Sequence, residues 1–425
     1  MTLFSVLRTP SFQALGGKLA AGFLSEQIHS EVYIDGLRIS DFLFIEILGL
    51  RVNDFENQEM LSIDEMRVKL NSFSFKEHKI DLNRVSLEGG GFFLTKYPGD
   101  SLLNLGRFVR EFGYGNAVSS RPSSVWSIQC DEVTISDFVF SIRNGLPDSI
   151  PGINFKDLLI EGIFVDISDI SVTGDSIAAF VNHVAGSEKS GMELLNFSGD
   201  AKVSSTGIRV QKARISTGQS SLDLDLEFLY KDYRKLAYFL DSVYINSIIR
   251  SSLVTMSDIG YFAPGLLVMN DPVMFSGVVE GPVSDFSATD ITISLGDFTE
   301  FKGLVTMKGL PDIRSTYCVL DIERMITTPD DINNFSFPVD DHRSIIPTQF
   351  DKLGFTSIDG QYEGYYNDFH ADLKFNTDAG NIYASGKMKE TMPGHNFVFS
   401  GEIEGYYIQL GSIFENEDLG ALNLE

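Results

Sequence analysis

The sequence predicts a mainly β protein built as a long, curved, repetitive antiparallel sheet. Three observations support this fold class. Apolar and polar residues alternate over most of the chain, single extra residues interrupt the alternation at intervals, and glycine-containing turn signals separate the alternating stretches. The 425 residues include 38 Gly and 34 Phe, which suits a protein with many turns and many aromatic strand positions.

The interruptions predict where the strands bend. In "KIDLNRVSLEGGGFFL" (79–94), Ile80 and Leu82 are two residues apart, as are Val85 and Leu87, but the step between the pairs is three. An alternation by two keeps one face apolar, and a β-bulge is the device that adds one residue without turning the apolar side outward. "CDEVTISDFVFSI", "SLDLDLEF" and "ATDITISLGDF" repeat the arrangement. A bulge in each strand predicts curvature with the apolar side on the concave face.

Helical patterns are few. Residues 9–28 have apolar residues at spacings of three and four, which predicts an amphipathic helix that caps the end of the sheet, with a membrane-surface helix as the alternative. Short helices are expected within 100–113, 230–241, 257–267 and 347–354.

The organisation follows from these patterns. We expect an N-terminal helical segment at 1–30, a first part of the repetitive sheet at 31–228, and a second part with helical insertions at 229–425. The apolar stretch "MTLFSVL" is too short to span a bilayer, so it is either a plain start or the tail of a membrane anchor. The abrupt end at "GALNLE" suggests a fragment of a longer protein.

Charge and cysteine content exclude some classes of function. The formal net charge of −26 repels phosphate backbones, so we expect no nucleic-acid partner. It also disfavours binding to anionic lipid through basic patches, but not binding of apolar molecules in a groove. Two distant cysteines exclude a disulfide framework, although one bridge stays open as an alternative.

The sequence contains no arrangement typical of catalysis. The six histidines stand apart without metal-ligand spacing, and no nucleophile-elbow motif is present. Gly89–Gly91 lack the Lys-Ser/Thr of a phosphate loop and predict a bend between strands. The acidic pairs at 330–331 and 340–341 predict a solvated loop, with calcium binding as the alternative. We expect no enzyme, no catalytic residue, no metal and no cofactor.

Several stretches resemble a known family. "RTPSFQALGGKLAAGFLSEQIHSEVYIDGLRISDFLFIEILGLRVND" resembles the start of TamB-type translocation and assembly module proteins of the AsmA-like group, and "GGFFLTKYPGDSLLNLGRFV" resembles the segment that follows it. "DLEFLYKDYRKLAYFLDSV", "FTEFKGLVTMKGLPDI" and "YEGYYNDFHADLKFNTDAGNI" resemble the family's repetitive middle. The resemblance covers essentially the whole chain and implies a taco-like open trough with an apolar interior.

The resemblance also implies a place and a role. It implies a periplasmic bridge, anchored in the inner membrane in the full-length protein, that carries phospholipids and meets an outer-membrane barrel partner through a C-terminal part missing here. An alternative role is assembly of outer-membrane β-barrel or autotransporter proteins, as in protein secretion. The family offers no catalytic residues.

Two functional hypotheses and one structural alternative remain from the sequence. The chain either shields phospholipid acyl chains in an apolar groove or pairs client strands along an exposed edge. A closed sandwich or barrel, in which the apolar face is ordinary core, is the structural alternative. The expected groove lining is Ile80, Leu82, Val85, Leu87, Val133, Ile135, Phe138, Phe140, Leu222, Leu224, Leu226, Ile291 and Ile293.

Overall fold

A computed structural model gives the fold of the chain. It describes residues 18, 21, 22, 25, 30–41, 43–108, 126–145, 150–335, 348–392, 396–414, 416 and 418–424. The described strands all belong to one sheet of 20 strands, which confirms the prediction of a mainly β protein. Of the residues in these ranges, none forms a helix that is both long and apolar enough to cross a bilayer.

The chain divides into two compact units, at 1–204 with 214–218 and at 205–213 with 219–425. Eight strands of unit 1 lie in sequence order: β1 (Val32–Asp41), β2 (Phe44–Asn53), β3 (Glu59–Ser74), β4 (Lys79–Lys96), β5 (Ser127–Asn144), β6 (Asp157–Thr173), β7 (Ser176–Glu188) and β8 (Glu193–Ser204). Strand β9 (Gly207–Thr217) contributes residues to both units.

Unit 2 contains the remaining eleven strands. They are β10 (Ser221–Leu229), β11 (Tyr244–Thr255), β12 (Pro272–Gly281), β13 (Asp285–Leu295), β14 (Thr299–Lys308), β15 (Tyr317–Thr327), β16 (Thr356–Tyr365), β17 (Asp368–Thr377), β18 (Gly380–Met392), β19 (Asn396–Gln409) and β20 (Ala421–Leu424). From β10 to β20, each strand pairs antiparallel with the next.

One pair of strands corrects the prediction of a purely antiparallel sheet. In unit 1, β4 and β5 are parallel, with Lys79 opposite Ser127 at one end and Lys96 opposite Asn144 at the other. A parallel pair needs a connection of a dozen residues or more, and residues 97–126 supply it. The sequence pattern missed this because alternation by two carries no information about strand direction.

The predicted bulges are present. At the Leu82/Val85 slip, Leu70 of β3 pairs with Leu82 while Lys69 pairs with Arg84, so β4 carries one extra residue. Register shifts also separate Ile135 from Phe138 in β5 and Ala288 from Ile291 in β13. Such an insertion keeps the apolar residues on both sides of it on the same face.

The extra residue often adopts a left-handed conformation. Asp137, Asp169 and Asp290 have φ values of 54°, 54° and 51°. Left-handed backbone is costly for most L-residues, but Asp and Asn tolerate it better than β-branched residues do. All three aspartates follow serine or threonine, in the "SD" and "TD" signals that mark the slips in the sequence.

Gly89–Gly91 also lie inside a strand and not between strands as predicted. Strand β4 runs through all three, and Gly89 and Gly90 have φ values of 67° and 107°. A Cβ on Gly90 would collide with the Ser62 carbonyl oxygen, so both the conformation and the space at this position require glycine. The triplet therefore gives β4 a left-handed kink without a register shift against β3 or β5, and the constant interval between β4 and β5 places Gly89 level with Asp137.

The helices agree with most of the predictions. Unit 2 has α-helices α1 (Phe239–Ser242), α2 (Met256–Gly260), α3 (Pro329–Asn334) and α4 (Leu410–Ile413). It has 3₁₀-helices at Tyr233–Tyr238, Pro264–Leu266, Ile313–Ser315 and Thr348–Leu353. The expected helices within 230–241, 257–267 and 347–354 are confirmed as these short elements, whereas helix in 100–113 is described only at 104–108.

The N-terminal helix is described at four positions only. Residues 18, 21, 22 and 25 are helical, and the rest of 9–28 lies outside the described residues. Ala21 is buried in a cluster with Val32, Ile34, Val52 and Met60, against which Leu105 and Phe108 also pack. This contact agrees with a helix that packs on the first strands of unit 1.

Residues 329–334 correct the prediction of a solvated loop, whereas 340–341 lie outside the described residues. Asp331 in α3 is buried and accepts hydrogen bonds from the amides of Asp297 (3.2 Å) and Phe298 (2.8 Å) and from the Thr299 hydroxyl (2.8 Å). Burial alone would raise the pKa of this carboxyl, but the hydrogen bonds outweigh burial and lower it. The carboxylate thereby fixes the turn between β13 and β14.

Substitution of Asp331 tests this role. Asp331→Asn should lower the free energy of unfolding near neutral pH by about 1–3 kcal/mol, because an amide nitrogen then faces backbone donors. A lowered folded-state pKa gives stability that is present above the unfolded pKa of about 3.9 and is lost as the pH falls through the folded value. Denaturant unfolding at several pH values should show that the free energy of unfolding falls less steeply with decreasing pH in the variant than in the wild type. The exposed Asp330→Asn is the control, and equal losses in both variants would contradict the assignment.

The bulge at Asp137 gives a second prediction. Asp137→Val should cost about 1–2 kcal/mol, because a β-branched residue must enter the left-handed region, whereas Asp137→Gly should be neutral. Thr134→Val, in extended backbone of the same strand, is the matched control. Denaturant titration of the three variants measures the difference, and a harmless Asp137→Val would mean that the bulge does not constrain β5.

Candidate functional site

The most extended candidate site in unit 1 is an apolar face. Its centre is a row of eight side chains, one from each strand, in which each residue is the cross-strand partner of the next. The row consists of Leu37, Ile47, Met66, Leu87, Ile135, Val165, Val184 and Phe197. We call it the central row.

The central row is continuous and partly accessible. With neighbouring strands about 4.8 Å apart, eight strands carry it across about 34 Å of sheet. All eight side chains are half-buried, whereas residues between two packed layers would be almost fully buried. The face therefore offers apolar surface that the rest of the chain leaves partly open.

A second row lies beside the central row. It runs through Ile39, Ile45, Val68, Val85, Val133, Ile167 and Val181, again as successive cross-strand partners. A third row, nearer the β3–β4 turn, runs through Phe73, Ile80, Ile128, Val172, Ile177 and Val203. Together, the three rows extend the apolar face along the strand direction as well as across the strands.

The other face of unit 1 is polar and carries ion pairs. Glu46 contacts Arg38 at 3.0 Å and Arg67 at 3.5 Å, and Arg84 contacts Glu132 at 2.5 Å. The hydrogen bond from Arg38 is the main reason why the pKa of Glu46 is lowered. Exposed ion pairs add little stability, but they keep this face hydrated, which distinguishes it from the apolar face.

The apolar face of unit 2 is more closely packed. Ala288, Ile291 and Val305 are buried, and Phe275, Ile293 and Phe301 pack around them. A cross-strand row here runs through Phe275, Ile293, Phe301, Met325, Ile358, Phe375 and Ile382. Aromatic side chains are more frequent in this row than in the central row of unit 1.

The predicted lining residues fall into two groups. The eight in β4 and β5 lie on the apolar face of unit 1, and all are half-buried: Ile80, Leu82, Val85, Leu87, Val133, Ile135, Phe138 and Phe140. Cross-strand pairing joins Val85 to Val133 and Leu87 to Ile135. The structure thus brings these residues onto one continuous surface.

The five predicted residues in unit 2 are less uniform. Leu224 and Ile291 are only 4% and 2% exposed, so they are core residues of this unit. Leu222, Leu226 and Ile293 are half-buried, but Leu226 has the buried Ser247 as its cross-strand partner. The structure therefore does not extend a uniform, accessible apolar surface through this group.

Sequence reasoning missed much of the central row. The expected lining residues did not include Met66, Val165, Val184 and Phe197. Met66 and Val165 pair directly with the expected residues Leu87 and Ile135, and Val184 and Phe197 continue the same row. The signal that could identify them is strand register. The two-residue turn Gly174–Asp175 joins β6 to β7 and fixes which residues stand opposite.

Other chemistry is sparse in the described ranges. Both cysteines are free, and burial raises the pKa of the Cys130 and Cys318 thiols. No group of three or more His, Cys, Asp or Glu side chains within the described residues is placed to hold a metal ion.

Comparisons with known proteins give no family. No protein-family model, no curated protein and no solved structure matches the chain. The resemblance to TamB-type proteins therefore stays a prediction, and the apolar face is the observation from which function must be argued.

Charged substitutions distinguish core from open surface. Leu224→Asp should cost about 3 kcal/mol or more, because it buries an unpaired carboxylate. Phe138→Asp should cost clearly less, because the Phe138 side chain is only half-buried and a carboxylate there can stay partly hydrated. Denaturant unfolding of both variants measures the contrast. Equal and large losses would identify Phe138 as core.

Proposed function

We propose that this chain is a segment of a periplasmic bridge between the inner and outer membranes that shields phospholipid acyl chains in an open, taco-like trough. The apolar face is the proposed lining. The observation that carries the proposal is the central row, in which eight neighbouring strands contribute one half-buried apolar side chain each. The resemblance to TamB-type proteins supports the same role and implies an inner-membrane anchor and an outer-membrane barrel partner.

The energetics of lipid transfer favour such a surface. Each methylene removed from water is worth about 0.8 kcal/mol, so a sixteen-carbon chain in water costs on the order of 12 kcal/mol. A surface that carries lipid must offset most of this cost at every step along the path. A continuous row of aliphatic side chains can do so, whereas isolated apolar patches would leave the acyl chain in water between them.

The chemistry of the face fits a carrier without headgroup specificity. The side chains of the central row are aliphatic apart from Met66 and Phe197, and none is charged. Charged residues of unit 1 pair with one another on the opposite face, as Arg84 does with Glu132. Headgroups would stay in solvent along the open side, and the acyl chains would contact the rows.

A second candidate function rests on a strand edge. Strand β20 pairs with β19 only at Gly405, Ile408 and Gln409, and within the described residues no strand pairs with the outer edge of β19 at 398–404. An unpaired edge can accept an incoming strand through main-chain hydrogen bonds. This edge is the specific observation in favour of an assembly scaffold for outer-membrane β-barrel or autotransporter proteins.

Lipid content of the purified protein tests the first proposal. Solvent extraction followed by mass spectrometry should find phospholipid in at least stoichiometric amount. Leu87→Asp places a carboxylate in the middle of the central row and should displace two or three methylenes. That loss of about 2 kcal/mol corresponds to roughly thirtyfold weaker binding.

The neighbouring residue provides the control. Ser86 lies on the polar face opposite Arg67, so Ser86→Asp adds the same charge without touching the apolar face. It should leave lipid content unchanged, and circular dichroism should show that both variants keep the fold. A wild-type protein free of lipid, or equal loss in both variants, would contradict the groove and favour the strand-pairing scaffold or a closed core.

A further inference from the structure

An aromatic cluster with two exposed phenylalanines lies where the apolar face meets the β3–β4 turn. Phe73 near the end of β3 and Phe75 in the turn have ring centroids 4.6 Å apart, and Trp126 lies 5.9 Å from each of them. His78 packs edge-on against Trp126 at 5.2 Å. We call these four residues the aromatic lip.

The aromatic lip continues the apolar face. Phe73 pairs with Ile80, which pairs with Ile128, so Phe73 is the first residue of the third row. Trp126 precedes β5 directly, and the adjacent Ser127 amide donates a hydrogen bond of 2.9 Å to the His78 carbonyl oxygen. Three neighbouring strands therefore bring the rings together at one end of the rows.

The two phenylalanine rings stay largely in solvent although they touch each other, whereas Trp126 and His78 are half-buried. Phe73 is 47% exposed and Phe75 is 74% exposed. Exposed apolar rings that cluster at a turn are typical of a contact site. The cluster is too small for a stable protein interface, which needs about 800 Å² from each partner, because the two exposed phenylalanine rings together offer at most about 500 Å².

The charge around the turn identifies the kind of surface. Lys76 and Glu77 lie in the turn, and Lys79 and Asp81 follow in β4, so the turn region is close to neutral in a chain with a net charge of −26. Lysines near a bilayer are attracted to anionic headgroups, and tryptophan prefers the boundary between headgroups and acyl chains. A near-neutral turn region with two lysines beside tryptophan and phenylalanine therefore suits an anionic phospholipid bilayer better than the acidic rest of the chain does.

We propose that the aromatic lip inserts into the surface of a bilayer that contains anionic phospholipid, and that lipids enter or leave the apolar face there. The second half of this inference rests on the proposed function. Insertion would place Phe75 and Trp126 among the acyl chains, with Lys76 at the level of the headgroups. The third row would then begin at the bilayer surface.

The chain has a single tryptophan, so its fluorescence reports on the aromatic lip alone. Vesicles of phosphatidylcholine with phosphatidylglycerol should shift Trp126 emission to shorter wavelength, and lipids brominated on the acyl chains should quench it. Vesicles of phosphatidylcholine alone should bind more weakly, and added salt should weaken binding to the mixed vesicles.

Two variants and one control make the test specific. Phe75→Ser should weaken vesicle co-sedimentation about tenfold or more, because one inserting ring is lost. Lys76→Glu should remove the preference for phosphatidylglycerol. Phe414→Ser is the matched control, since Phe414 is a phenylalanine that is 59% exposed elsewhere in the chain. Equal loss in Phe414→Ser and Phe75→Ser would overturn the assignment to the aromatic lip.

The outcomes separate this inference from the proposed function. Bound phospholipid together with Trp126 emission that vesicles leave unchanged would overturn membrane insertion, keep the groove, and direct attention to a protein partner for the lip. Quenching by brominated vesicles in a protein that retains no lipid would support insertion and overturn the groove. Quenching in the wild type, its loss in Phe75→Ser, and unchanged extracted lipid in that variant would support both.

Discussion

The fold depends on its β-bulges. Each bulge adds one residue to a strand, and its backbone conformation keeps the apolar side chains before and after it on the same face. Asp137 and Asp290 occupy the left-handed region, and each stands between apolar residues that must stay on the same face. An alternation by two would otherwise reverse the two faces after every insertion. The long strands of unit 1 keep their rows in line because an insertion in one strand is compensated by an insertion in its neighbour a few residues away, as on either side of Phe138 in β5.

The rows and the polar face depend on each other. Because alternate residues point to opposite sides, a strand that contributes Leu87 to the apolar face must present Ser86 and Glu88 to the other. Cross-strand pairing then aligns charges as well as apolar groups, as in the contacts of Arg67 with Glu46 and Glu88. One register therefore determines both the continuity of the apolar surface and the hydration of its reverse.

The sequence was sufficient for features that depend on local pattern. The step of three between Ile135 and Phe138 predicted a bulge, and the "TGDS" signal fixed the turn between β6 and β7. The sequence was insufficient where contacts with residues distant along the chain determine whether a side chain is buried. Asp331 is buried because it meets a turn more than thirty residues away, and Leu224 is core because of its neighbours in unit 2. Neither fact is visible in the residues that flank these positions.

The parallel pairing of β4 with β5 has a consequence for how this protein can evolve. Every paired residue in β5 follows its partner in β4 by the same interval, which also places the left-handed Gly89 level with the left-handed Asp137. A deletion inside one strand would misalign every later pair, so it survives only with a matching deletion in the other. Length changes in the connection at 97–126 leave the alignment intact. Homologous sequences should therefore vary in length in that connection and keep paired lengths in the two strands.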